Sequence, residues 1–192
     1  MLPLLLASSS TYRRELLARL HLPFTCTSPD IDESHRPGEP AIELVKRLAE
    51  QKARALAHNH PAHLIIGSDQ VAVLGEQIIG KPHTFEKACE QLMAASGASV
   101  TFLTGLALLN SQTGQCQVDC VPFTVHMRQL DQARIERYLR IEQPYDCAGS
   151  FKAEGLGVSL FKSTEGPDAT SLIGLPLIRL IDMLLTEGMQ IP

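Results

Sequence analysis

The sequence predicts an α/β or α+β fold built on a mixed sheet. Helix-like and strand-like segments alternate along the chain rather than segregating into separate blocks. Near its start, the apolar run Leu4-Leu5-Leu6 turns through small hydroxyl residues directly into an amphipathic helix. The second half is richer in strands. At 192 residues, 44% hydrophobic and 20% charged, the chain suits one domain, or one domain with two lobes around a cleft.

Taken in order, residues 2–6 read as a buried strand. Residues 11–20 read as a helix with Leu16, Leu17 and Leu20 on one face, and 24–27 as a short strand. Residues 28–40 are rich in Pro, Asp, Glu and Gly and read as a loop. Residues 41–58 give the clearest helix, because Ala41, Leu44, Val45, Leu48, Ala55 and Leu56 recur at helical spacing. Residues 63–68 are a second buried strand, ending in Ser68-Asp69-Gln70. Residues 71–74 and 77–79 flank Gly75 as a hairpin. Thr84 caps a helix to about Ser96, with Gly97 as its stop.

Residues 100–109 and 117–127 are strands separated by the turn cluster Asn110-Ser111-Gln112-Thr113-Gly114. In the second of these, Val121, Phe123, Val125 and Met127 alternate with polar neighbours, and Pro122 favours an edge position. Asp131 caps a helix to about Arg140. Residues 143–149 are loop, 158–161 are strand, and 176–187 are a final helix stopped by Gly188.

The net charge of −4 argues against a general nucleic-acid or membrane-surface binder. The five cysteines, Cys26, Cys89, Cys116, Cys120 and Cys147, form no CxxC pair. They read as buried, reduced thiols. The opening apolar run lacks a basic flank and is too short for a signal peptide. No stretch approaches the roughly 20 apolar residues of a membrane span. The expectation is a cytoplasmic protein with neither nucleic-acid nor membrane partners.

The first candidate site is the turn after Leu6. The first N–H groups of a helix lack internal partners, so Ser8-Ser9-Ser10 entering a helix make a natural anion site. Arg13 and Arg14 in the first turn oppose the helix dipole, which is easier to explain if an anion sits beside them. Lys52 lies on the apolar stripe of its helix, where a lysine must snorkel or meet an anion. Asp69, expected at the end of a buried strand, stands where catalytic groups of α/β proteins often sit and can hold a metal or act as base. Lys81, twelve residues on in Gly80-Lys81-Pro82, follows the hairpin, which brings it back towards the same edge. Glu33 belongs to the acidic run Asp30-Ile31-Asp32-Glu33, and Glu154 to a Gly-flanked polar loop. The seven histidines show no ligand spacing. There is neither a Walker A signature nor a dinucleotide GxGxxG.

Together these segments resemble the Maf family of nucleotide pyrophosphatases. The resemblance runs in order through Leu6-Ala7-Ser8-Ser9-Ser10 with Arg13-Arg14, Asp30-Ile31-Asp32-Glu33, Arg47-Leu48-Ala49-Glu50-Gln51-Lys52-Ala53, Ile66-Gly67-Ser68-Asp69-Gln70-Val71 and Gly80-Lys81-Pro82. It continues through Thr104-Gly105-Leu106-Ala107, Ala148-Gly149-Ser150-Phe151, Glu154-Gly155 and Gly174-Leu175-Pro176, and so covers nearly the whole chain. Thr11 departs from the pattern, since the family often has Pro before its arginines; no charged group is lost.

The resemblance implies a single domain spanning residues 1–192, with a mixed sheet flanked by helices and two lobes around a deep cleft, often dimeric. It implies hydrolysis of a nucleoside triphosphate to the monophosphate and pyrophosphate with a divalent cation, Mg2+ or Mn2+. Ser8, Arg13, Lys52 and Lys81 would take the phosphates, Asp69 the proton, and Glu33 with Asp69 the metal. Three positions bear on the base. The subgroup acting on dTTP and UTP has Arg, Thr and Gln where this chain has Tyr12, Gln70 and Glu154. This set is similar to the subgroup that hydrolyses 7-methyl-GTP. Methylation at N7 makes guanine cationic, which an aromatic face attracts and a carboxylate can pair with. The family is also linked to cell-division arrest. The alternatives are therefore a nucleotide-binding regulator of septum formation, or a pyrophosphatase for dTTP and UTP.

Overall fold

The computed structural model describes residues 2–191. Its strands form a seven-stranded sheet in the order β2-β1-β3-β5-β6-β7, with β4 paired to β3. β1 (Leu4–Leu6), β2 (Phe24–Cys26), β3 (Leu64–Leu74), β4 (Gln77–Ile79), β5 (Ser99–Asn110), β6 (Cys116–Met127) and β7 (Phe161–Glu165) alternate with helices. The helices are α1 (Thr11–Ala18), α2 (Ala41–Ala57), α3 (Phe85–Ala95), α4 (Gln132–Glu142), α5 (Ala169–Ile173) and α6 (Leu177–Thr186). β1 is parallel to β2 and β3, while β3–β4 and β6–β7 are antiparallel, so the sheet is mixed as expected. Among the described residues, no helix is long and apolar enough to cross a membrane.

The chain divides into two compact units. One comprises residues 1–70, 104–121 and 168–192, the other 71–103 and 122–167. In the first unit, the two-residue period of the strands sorts side chains onto two faces. Leu4, Leu6, Leu64, Ile66, Leu106 and Leu108 pack with Leu16 and Leu17 of α1 and Leu180 and Leu184 of α6. Leu5, Ala7, Ile65, Ala107 and Leu109 pack with Ala49, Ala53 and Leu56 of α2. Alanines make up half of this second layer, and α2 sits close to the sheet. A Cβ on Gly67 would lie 2.0 Å from the Ala49 carbonyl oxygen, and one on Gly105 would lie 2.1 Å from that of Val45.

The second unit holds the β3–β4 hairpin, with Ala72 opposite Ile79 and Leu74 opposite Gln77. Thr84 and Asp131 cap α3 and α4 through Lys87 N and Arg134 N. Phe102, Phe151 and Phe161 stack edge to face.

Several expectations need correcting. β3 does not end before Asp69 but runs through it to Leu74, joining what the sequence splits into two strands. Residues 156–160 form a 3-10 turn, and the strand read at 158–161 begins only at Phe161. A short apolar run does not by itself distinguish the two. α5 was not foreseen; it has only five residues. Ala55 is exposed, and Ala49 and Ala53 are the residues that face the sheet. β6 is an interior strand, yet its pairing with β7 reaches only Thr124, so Pro122 falls outside that ladder. Cys26 is exposed and the other four cysteines are half-buried, not buried; all five are free.

Candidate active site

The site grows from the unequal lengths of β1 and β3. β1 ends at Leu6, paired with Ile66, and Ala7 N still donates to the Ile66 carbonyl at 2.8 Å. β3 continues, so Ser68, Asp69 and Gln70 extend past the carboxyl end of β1, where ligands of parallel α/β sheets gather. The strand's alternation sends Asp69 towards α2, and Ser68 and Gln70 towards the other face. There Ser68 Oγ bonds the carbonyls of Gly105 and Gly174.

On the α2 side, Lys52 Nζ donates to Asp69 Oδ1 at 2.7 Å and lies 3.1 Å from Glu33 Oε1. The Lys52 and Asp69 side chains are only 8% and 12% exposed, whereas Glu33 is 58% exposed. The Lys52–Asp69 pair is therefore shielded from water, while solvent screens the Glu33 contact. The stripe lysine has indeed met an anion, one supplied by the protein itself. Gly67 and Gly105 matter here because they let α2 approach closely enough for Lys52 to reach Asp69.

The loop carrying Glu33 is stapled to α2 by Arg47. Its Nε and Nη2 grip the Glu39 carboxylate in a two-point fork, Nη2 also donates to the Ser34 carbonyl at 3.0 Å, and Nη1 to Gln51 Oε1 at 3.1 Å. The Arg47 hydrogen bonds hold the Glu39 carboxyl down to about 2. Hydrogen bonds from the Ser34 hydroxyl and N–H keep the Asp32 carboxyl below the usual range, and the second of them turns the chain next to Glu33.

After β1, Ser8 Oγ accepts from Ser10 N, and Ser10 Oγ caps α1 by accepting from Arg13 N at 3.3 Å. The two arginines then diverge. Arg14 lines a cavity of about 160 Å³ with Ser8, Ser9, Ser10 and Thr11, at the place the sequence marks as an anion site. Arg13 Nε donates to the Gly174 carbonyl at 2.8 Å. Burial pulls its guanidinium down from the ordinary value, and the charges of Asp69 and Glu33 oppose the shift. An arginine stays charged through any such shift.

Thus Lys52, Asp69, Glu33 and Arg13 form one charged group, with Ser8 in the same unit. Tyr12 is half-buried on the first turn of α1, and Gln70 follows Asp69 on β3. Lys81 is exposed just past β4, and Glu154 is exposed in a turn after Phe151; both belong to the second unit. Sequence reasoning gave no role to Arg47, Ser68 or Thr104. A signal for Thr104 was available: it is the polar residue in the apolar run Phe102–Leu106, and a buried hydroxyl needs a partner.

A hard divalent cation takes one or two carboxylates, with phosphate oxygens and waters filling its shell. Asp69 and Glu33, both within reach of one ammonium, fit that chemistry. Among the described residues, no group of three or more His, Cys, Asp or Glu gathers. Burial pushes the Cys116 and Cys120 thiols up to about 11 and that of Cys147 up to about 12.

The family description "Maf-like protein" matches residues 3–187. This chain belongs to the Maf family. Among its relatives, a protein named 7-methyl-GTP pyrophosphatase from Pseudomonas fluorescens (strain Pf0-1) is 91% identical over the whole of both chains. One of the same name from Pseudomonas aeruginosa is 71% identical over 98% of each. Another from Alcanivorax borkumensis is 59% identical over 98% of this chain and 96% of its own. In fold, the Maf chain is similar to the Ham1 protein of Staphylococcus aureus, with a TM-score of 0.54 over 97% of this chain and all of the other. At 13% identity, that likeness concerns architecture alone.

Proposed function

We propose that this Maf-family chain hydrolyses 7-methyl-GTP to 7-methyl-GMP and pyrophosphate. The reading rests on the convergence of Lys52 on Asp69 and Glu33 beside Arg13, in a chain that matches relatives of that name over its full length. A binding module needs cations for phosphate; it does not need a shielded carboxylate held among them.

In this reading, Ser8, Arg13, Lys52 and Lys81 take the phosphate oxygens and neutralise their charge. Glu33 and Asp69 are the residues that would hold a divalent cation, which when bound adds Lewis-acid stabilisation of charge on the phosphates. Asp69 orients a water for in-line attack on the α-phosphorus and receives its proton. The bond from the α-phosphorus to the bridging oxygen breaks, and pyrophosphate leaves with that oxygen. Tyr12 offers an aromatic face to the cationic base, worth roughly 0.5–2 kcal/mol. Glu154 accepts from the N1–H and 2-amino group of guanine.

Pyrophosphate release from 7-methyl-GTP, GTP, dTTP and UTP at saturating Mg2+ tests the reading. 7-Methyl-GTP should turn over fastest. Faster turnover of dTTP or UTP overturns the substrate, and binding without release from any of the four overturns the enzyme.

A further inference from the structure

A carboxamide carries both donors and an acceptor, and only its partners reveal which end faces where. Gln70 Nε2 lies 2.7 Å from the Ser171 carbonyl oxygen and 3.2 Å from that of Leu172. Backbone carbonyls only accept, so the atom facing them is the nitrogen. Its third neighbour is Thr104 Oγ1 at 2.9 Å. The Thr104 hydroxyl has one proton and directs it at the Ser171 carbonyl, also at 2.9 Å. Towards Gln70 it therefore presents a lone pair. Three acceptors thus share the two N–H bonds of Gln70, and no donor remains for a ligand.

What remains is Oε1. It accepts no hydrogen bond from the described residues, and among these the buried side-chain polar atom without a partner is His63 Nδ1. Gln70 Oε1 is therefore open to an incoming group. Thr104 itself is fully buried, out of contact with solvent.

Building on the reading of Gln70 as a base-contacting residue, we propose that Thr104 is a positioning residue for base selection. With the Ser171 and Leu172 carbonyls, its hydroxyl completes the three-acceptor seat that holds the Gln70 nitrogen inward and aims Oε1 at the nucleobase. An acceptor rewards a base edge lined with N–H groups. Guanine and its 7-methyl form carry a 2-amino group whose second N–H stays free when Glu154 takes N1–H and the first, whereas uracil and thymine place one N–H between two carbonyls that repel an acceptor. With the hydroxyl gone, the Ser171 and Leu172 carbonyls still face the nitrogen, but the carboxamide loses the third contact that fixes its tilt, so Oε1 is no longer held at one angle to the base.

The test compares kcat/KM for 7-methyl-GTP and UTP in the wild type, T104V and T104S. T104V should narrow the ratio about tenfold, the scale of one misplaced hydrogen bond, with the loss falling on KM for 7-methyl-GTP. T104S keeps the hydroxyl and should restore the ratio. Q70A poses the question without touching Thr104: it removes the acceptor itself, and at least the same narrowing is expected. In a Q70A background, T104V should narrow the ratio no further. A ratio unmoved in T104V and Q70A, or an equal loss for both nucleotides, overturns the proposal alone. A wild type without preference for 7-methyl-GTP overturns the substrate reading, and the proposal with it.

Discussion

Asp69 and Lys52 hold each other in a nearly dry setting, and each substitution there has a separable consequence. Asp69→Asn keeps the shape but removes the proposed proton acceptor and leaves the Lys52 ammonium with only the exposed Glu33, so kcat for pyrophosphate release should fall by about 100-fold or more and the unfolding midpoint should drop as well. Turnover near wild type would remove Asp69 from the base role. Lys52→Met leaves the Asp69 carboxylate without its ammonium, which should lower stability by roughly 3 kcal/mol in urea titrations. Combining the two substitutions should recover most of that loss. Glu39 gives a pH signature of its own. Its carboxyl is held at about 2 by Arg47, below the ordinary 4.5. The stabilisation is present above the ordinary value and is lost as pH falls towards 2. Acid unfolding of Glu39→Gln should therefore lose part of the pH dependence seen between those limits in the wild type.

At the scale of elements, the seating of α2 on β3 and β5 decides whether the charged group assembles. Gly67 and Gly105 admit the α2 backbone to a distance no Cβ would allow. Gly105→Ala should push the helix outward, destabilise by about 1–3 kcal/mol and lower kcat through displacement of Lys52. An activity loss without a stability loss would speak against this packing account. A second device is Asp168, buried at 4% exposure, whose carboxylate accepts from Thr170 N and Ile178 N, each at 2.8 Å. It organises the start of α5 and the first turn of α6, and so fixes the segment whose Gly174 carbonyl receives Arg13 and Ser68. Asp168→Ala should cost about 2 kcal/mol by thermal unfolding. The long helix α2 and the capped α3 and α4 were legible because periodicity and capping are local. Strand β3 was misread as two pieces because Ser68-Asp69-Gln70 looks like a polar stop. It is not a stop: those side chains are satisfied by α2, Gly105, Thr104 and the 171–174 segment.

At the scale of the whole molecule, the first unit is assembled from three separate stretches of chain. Residues 1–70 contain the whole charged group, yet the core beneath it needs Leu106, Leu108, Leu180 and Leu184 from later in the chain. A fragment of residues 1–70 should therefore lack a cooperative unfolding transition by circular dichroism. Supplying residues 104–121 and 168–192 on separate peptides should not restore one at micromolar concentration, because three chains lose far more entropy on association than one. A cooperative transition in the isolated fragment would contradict this. By itself, the sequence determined the mixed α/β class, the capped helices and the Maf family motifs, because periodicity, caps and an ordered set of short motifs are written locally. Only the tertiary structure decided that Lys52 pairs with Asp69 and Glu33, that Arg47 ties down the acidic loop and that Thr104 fixes Gln70. Those contacts join residues far apart in the chain, and their geometry is set by how closely α2 and the 171–174 segment pack on the sheet.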